Sequence, residues 1–197
     1  MPRSRLLLAA AIAVPILLLA STAALVAVRR APPPAPPPLA IGAHFSLTTA
    51  NGSAVTERSY RGKWLLVYFG YTFCPDACPT ALSAIAAALE RLGPLADRVQ
   101  PLFVTVDPER DTPAVVADYV RAFDPRIIGL IGTPEQTAAA AREFRVYYVA
   151  RKLGDDEYAI DHSSFLYLIN PQGEFVRLLT GDLPGHSLAD ALRPLLE

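Results

Sequence analysis

An α/β domain, with a central mixed sheet flanked by helices, is the fold class this sequence predicts, and three observations predict it. Apolar runs of strand length alternate with helix-like segments from about residue 45 to the C-terminus, the pattern of a sheet covered on both faces. Thr112-Pro113 and Thr133-Pro134 each place a hydroxyl residue before a proline, the signature of a helix start. The only two cysteines, Cys74 and Cys78, follow the first long apolar run and lie at the start of a helical stretch. That placement of a dithiol fits a thioredoxin-like arrangement.

Taken in order, Phe45 to Thr49 and Ser53 to Thr56 flank Asn51-Gly52, a tight-hairpin signal. Lys63 to Gly70 reads as a buried strand, and Pro79 to Leu92 as a helix with proline at its first position and Cys78 as its cap. Leu102 to Val106 is a second buried strand, and a helix runs from Pro113 to about Phe123. Ile127 to Ile131 is a short strand, and Thr133-Pro134-Glu135-Gln136 forms a capping box that starts a helix to about Phe144. Tyr147 to Arg151 reads as a strand. Ser164 to Ile169 and Glu174 to Leu179 read as strands joined by the turn Asn170-Pro171-Gln172-Gly173, and Ser187 caps a last helix to Leu196.

The N-terminus is of a different kind. Leu6 to Val28 carries no charge and is long enough to cross a bilayer. A cleaved signal peptide is the competing reading, given Arg3, Arg5 and the small residues at Ser21 to Ala24. Six prolines between Ala31 and Leu39 predict a stiff polyproline spacer. The expected organisation is thus an anchor or signal segment over residues 1–29, a linker over 30–40 and a folded domain over 41–197. The first 39 residues hold four arginines and no acid, which leaves 14 basic and 19 acidic residues beyond them. An acidic domain without a basic, aromatic-laced patch excludes nucleic-acid binding.

The chemistry is concentrated in Phe73-Cys74-Pro75-Asp76-Ala77-Cys78-Pro79. Two thiols at a strand-to-helix turn can exchange disulfides or clamp a soft metal, and the helix N-terminus favours thiolate. A structural disulfide closing so short a loop would stabilise little. Asp76 reads as a solvated turn residue or as part of a metal or docking site. Of the three histidines, His44 and His186 read as solvent-facing turn residues. His162 precedes a buried strand, in the loop that lies beside the dithiol of thioredoxin-like folds. Two sulfurs and one imidazole would suit Cu(I), or Cu(II) with added ligands, whereas structural zinc prefers four protein ligands. Asp107 closes the second buried strand, where it either fixes the loop before Pro108 or approaches the dithiol. Tyr119, Tyr147, Tyr148 and Phe165 read as core or semi-buried aromatics without a chemical role.

Three segments together carry a resemblance. Tyr68 to Thr80, Val106 to Pro113 and Asp161-His162-Ser163-Ser164 are similar to motifs of the Sco/SenC family of membrane-anchored copper proteins, and the likeness spans roughly Ile41 to the C-terminus. The chain departs from the family at Ala43-His44, where a Gly-rich start is common, and at Asn170, where Asp is common. The resemblance implies a thioredoxin-like fold and copper held by Cys74, Cys78 and His162, with Asp107 and Asp76 around the metal or facing a partner. It implies an inner-membrane, single-pass metallochaperone with its soluble domain on the periplasmic side. The expected acceptor is the CuA centre of cytochrome c oxidase subunit II, with a thiol reductant and another copper chaperone as further partners. Thiol–disulfide oxidoreductase action on acceptor cysteines, through Cys74 and Cys78, is the alternative. A peroxidase would need rapid oxidation of Cys78 by peroxide.

Overall fold

The long apolar strands form the middle of a seven-stranded mixed sheet in the computed structural model, which describes residues 41–154 and 157–197. The expected anchor and proline linker lie outside the described residues. No helix among the described residues is long and apolar enough to cross a membrane.

The strands are β1 (Ser46–Thr49), β2 (Ala54–Thr56), β3 (Trp64–Gly70), β4 (Val99–Thr105), β5 (Ile128–Ile131), β6 (Tyr148–Lys152), β7 (Tyr158–His162), β8 (Phe165–Ile169) and β9 (Phe175–Thr180). The helices are α1 (Ala77–Leu92), α2 (Pro113–Phe123), α3 (Pro134–Glu143) and α4 (Gly185–Leu196). Sheet order is β2-β1-β5-β4-β3-β8-β9. The centre, β5-β4-β3, is parallel, and the strands outside it pair antiparallel. β6 and β7 form a separate two-stranded hairpin.

β3 is buried from Leu65 to Gly70, which is why it reads as an unbroken apolar run and not as an alternation. Its side chains still divide between the two faces. Phe69 joins Phe144 and Tyr167, at ring-centroid distances of 5.1 and 5.8 Å. Tyr68 projects the other way, its hydroxyl 3.1 Å from Ser164 Oγ and its ring edge-on to His162. α1 packs along α4, and α2 lies against β5.

Local signals place the helix starts. The Thr112 hydroxyl accepts from Val115 N–H, and Thr133 with Gln136 forms the full capping box. At the first hairpin, Gly52 supplies the positive φ (86°) that the turn requires.

Several expectations are corrected. α1 begins at Ala77 with Asp76 at its cap position, so Cys78 lies inside the first turn and does not cap the helix; proline is tolerated throughout that turn. α4 begins at Gly185, and Ser187 caps nothing. β4 starts before Pro101, because β5 pairs with it only from Leu102 onward and the proline meets no strand on that side. β7 was not foreseen, and His162 is its last residue and not a loop residue. Tyr147 and Phe165 are exposed, at 61% and 38%, and are not core.

Candidate metal centre

The site is built where β3 ends. Gly70 closes the strand, the chain turns through Tyr71 to Asp76, and α1 begins. Cys74 N–H donates to the Tyr71 carbonyl at 3.2 Å, and Cys78 N–H donates to Cys74 Sγ at 3.4 Å, which turns the first sulfur over the start of the helix. Gly70 leaves room for the second: a Cβ there would stand 2.6 Å from Cys78 Sγ. Cys78 is fully buried and Cys74 nearly so, and both are free thiols.

His162 arrives from the hairpin. β6 and β7 pair with Tyr148 opposite His162, and Ser163 N–H donates to the Tyr147 carbonyl, which ends the strand. The ring stands edge-on to Tyr68 and Tyr71. Its Nδ1–H donates to the Ser163 carbonyl at 3.1 Å, which leaves the Nε2 lone pair facing the sulfurs. Nε2 lies 3.5 Å from Cys78 Sγ and 3.9 Å from Cys74 Sγ.

The three donor atoms lie within 4.8 Å of one another. That spacing fits an ion. With bonds of about 2.3 Å to sulfur and about 2.0 Å to nitrogen, a three-coordinate metal would hold each sulfur roughly 3.7 Å from the nitrogen. The observed separations bracket that value. The donor set is soft, and half of the imidazole's hydrogen-bonding capacity is already committed to the backbone.

The two thiols are electrostatically unequal. A hydrogen bond from Cys78, helped by backbone N–H groups of the turn, lowers Cys74 to about 3 against the opposing effect of burial. Cys78 is pushed up, first by that same bond to Cys74 and then by burial. The pair titrates as a unit, with Cys74 as the thiolate and Cys78 as its proton donor. Burial and the neighbouring sulfurs push the Tyr68 hydroxyl up, so it stays protonated.

The remaining predicted residues are placed differently. Asp76 is exposed; it lines the mouth of the site with Pro75, Arg151 and Asp161, and its side chain caps nothing. Asp107 is only 3% exposed and does not touch the sulfur–imidazole cluster. It accepts from Arg110 Nε at 2.6 Å and from the Tyr158 hydroxyl at 2.7 Å. Asp111, which the sequence reading did not single out, is fully buried and accepts from Thr72 N–H, the Thr72 hydroxyl and the Thr105 hydroxyl. It ties the cysteine turn to the end of β4. Its proximity to the motif was legible, its burial was not. His44 pairs with Glu57 at 2.9 Å and His186 is exposed, and neither belongs to the donor cluster.

Comparison with known proteins follows the same residues. A family model described as SCO1/SenC matches residues 34–197. The chain is 43% identical over 154 residues to protein SCO1 homolog 1, mitochondrial, of Arabidopsis thaliana, covering 78% of this chain and 46% of that protein. It is 40% identical over 157 residues to protein SenC of Rhodobacter capsulatus, covering 80% of this chain and 71% of the relative. Thus it spans about half the length of the plant relative and most of the bacterial one. Among solved structures, ScoI of Bradyrhizobium japonicum with copper bound aligns with a TM-score of 0.73 at 42% identity, over 79% of this chain and 99% of that one.

Proposed function

The chain belongs to the SCO1/SenC family, and on that premise we propose that it is a copper metallochaperone that loads the CuA centre of cytochrome c oxidase subunit II. One observation carries the reading: two sulfurs and one imidazole nitrogen converge at separations that fit a single soft ion, with no fourth His, Cys, Asp or Glu donor grouped with them among the described residues. Copper bound in relatives such as the Bradyrhizobium protein supports it.

The residues divide the work. Cys74, already a thiolate, is the first sulfur to engage the ion, and Cys78 must release its proton to join. Ser163 holds the imidazole in the tautomer that presents Nε2. Three donors leave the ion open on the side of the mouth rimmed by Pro75, Asp76 and Asp161. An incoming acceptor thiolate can add there before the chain's own sulfurs let go, so transfer proceeds by ligand exchange. The uncharged Leu6–Val28 run and the proline segment support an inner-membrane anchor with the domain held on the periplasmic side. Loading in an oxidising compartment requires both thiols reduced, hence a partner reductant.

A second reading rests on the same asymmetric pair. The Cys74 thiolate could attack an acceptor disulfide, and Cys78 would then resolve the mixed disulfide. The acceptor gains two electrons and its thiols, and this chain is left with a Cys74–Cys78 disulfide. The test is to load the reduced full-length chain with one equivalent of Cu(I) and mix it anaerobically with reduced apo-subunit II. Copper should move to the acceptor. Retention of copper by this chain, together with reduction of an oxidised acceptor by the metal-free chain, would replace the chaperone by the reductase.

A further inference from the structure

The hairpin that delivers His162 is poorly supported by the rest of the fold. β6 and β7 pair only with each other, their contacts with the other described helices and strands are sparse, and Ile160 is the one residue of the two strands that is buried in the core. A cleft of about 410 Å3 is lined by Tyr148, Ala150 and Ile160 from the hairpin and by Val106, Pro108 and Pro134 from the body. An interface with that much unfilled space does not fix a strand by packing alone. Something else must place His162 within reach of the sulfurs.

Arg110 is the side chain that bridges the two halves. Its Nε donates to Asp107 and its Nη1 donates to the Tyr158 carbonyl at 2.9 Å. The guanidinium carbon lies 3.6 Å from the centre of the Tyr158 ring, and the Tyr158 hydroxyl returns to Asp107. The same guanidinium stands 4.9 Å from the Phe73 ring and 5.7 Å from the Tyr71 ring, in the turn that carries Cys74. Its Nη2 is buried and has no hydrogen-bond partner among the described residues, and the guanidinium is held instead against aromatic faces. Tyr158 and His162 lie on one strand and, at an even spacing, on one face of it. The backbone adds one tie beside this contact, from Ile160 N–H to the Tyr71 hydroxyl at 3.3 Å. Asp111, next in sequence, roots the bridge to Thr72 and Thr105.

We propose that Arg110, seated on Asp107, is a positioning residue that sets the His162 hairpin in register against the cysteine turn. It acts on the metal only through His162. The inference rests on the copper reading of the site, and the experiment separates the two. Cu(I) affinity of the reduced full-length chain is measured by competition with a chelator for wild type, Arg110→Met, His162→Ala and the double variant. Hydrogen exchange is followed at the hairpin amides of residues 148–152 and 158–162 in the metal-free proteins.

Arg110→Met should weaken Cu(I) binding about tenfold in the wild-type background, the scale of lost support behind a metal ligand. In the His162→Ala background it should change affinity less than about twofold, because the ligand it positions is gone. Hairpin exchange should quicken while that of α1 stays unchanged. Arg110→Lys keeps the charge beside Asp107 but loses the flat, forked contact, and its affinity and exchange should fall between the two. It also carries the test if circular dichroism shows the methionine variant unfolded. Unchanged affinity and exchange in the variants, or an equal loss in both backgrounds, overturns the proposal. A wild-type chain that binds no Cu(I) sinks the copper reading, and hairpin exchange then decides the positioning role alone.

Discussion

Cys74 and Cys78 are four residues apart and chemically unlike. Cys74 lies at the mouth of the site, receives hydrogen bonds from Cys78 and from its backbone N–H, and is a thiolate down to about pH 3. Cys78 is sealed beneath it. The consequence is testable by alkylation. An ordinary cysteine slows roughly a thousandfold between pH 8 and pH 5 as its thiolate disappears. The Cys74 rate with iodoacetamide should stay nearly flat over that range and fall only as pH approaches 3, since its folded pKa is lowered. It should be modest throughout, because low basicity weakens a nucleophile. Cys78 should not react in the native protein. A Cys74 rate that tracks an ordinary thiol would deny the hydrogen-bonded pair. At this scale the sequence was informative about the donors, since residue type and spacing are local properties. It was uninformative about Asp107: its partner Tyr158 lies 51 residues away, on a strand that the sequence did not announce.

Individual elements divide by how much of their surface is buried. β3, β4 and β8 are covered on both faces, so their apolar runs were legible. The hairpin has no such cover. β6 is mostly exposed and β7 has one buried residue, Ile160, so Tyr158-Ala159-Ile160-Asp161-His162 shows no apolar period. The site therefore depends on the element with the weakest sequence signal. The end of β3 is the opposite case. Gly70→Ala would set a methyl group 2.6 Å from Cys78 Sγ and 3.1 Å from Phe103 and Tyr68. All three neighbours are buried, and relieving the clash should cost about 1–3 kcal/mol in chemical denaturation and weaken Cu(I) binding as well. Thr133→Ala removes the cap of α3 and should cost about 1 kcal/mol while leaving Cu(I) affinity unchanged. A copper-neutral Gly70→Ala would mean that the strand end does not hold the sulfur in place.

For the whole molecule, the fold brings two long-range pieces of chain together at one candidate metal site. The cysteine turn and His162 are 84 residues apart counted from Cys78, so an ion bound by both ties β3 and α1 to the hairpin. Binding that favours only the native state must raise stability. At a free Cu(I) concentration of one hundred dissociation constants the gain is about 2.7 kcal/mol. For a chain of this size that corresponds to a rise in Tm of about 5–10 °C. Chelation should reverse it, and His162→Ala should lose most of it. An undiminished rise in that variant would place the copper on the sulfurs alone. The α/β architecture was predictable from the alternation of elements, and the dithiol's location within it from the apolar run that precedes it. The meeting of His162 with the sulfurs was not contained in any local pattern; the family resemblance supplied it.

X-ray absorption of the Cu(I)-loaded full-length chain, recorded beside His162→Ala, tests that meeting most directly. The account predicts two sulfur scatterers and one imidazole nitrogen in the wild type, with the nitrogen shell and its outer-ring scattering gone from the variant. Identical spectra from the two proteins would show that the imidazole is not a ligand, and would contradict the site on which the proposed function depends.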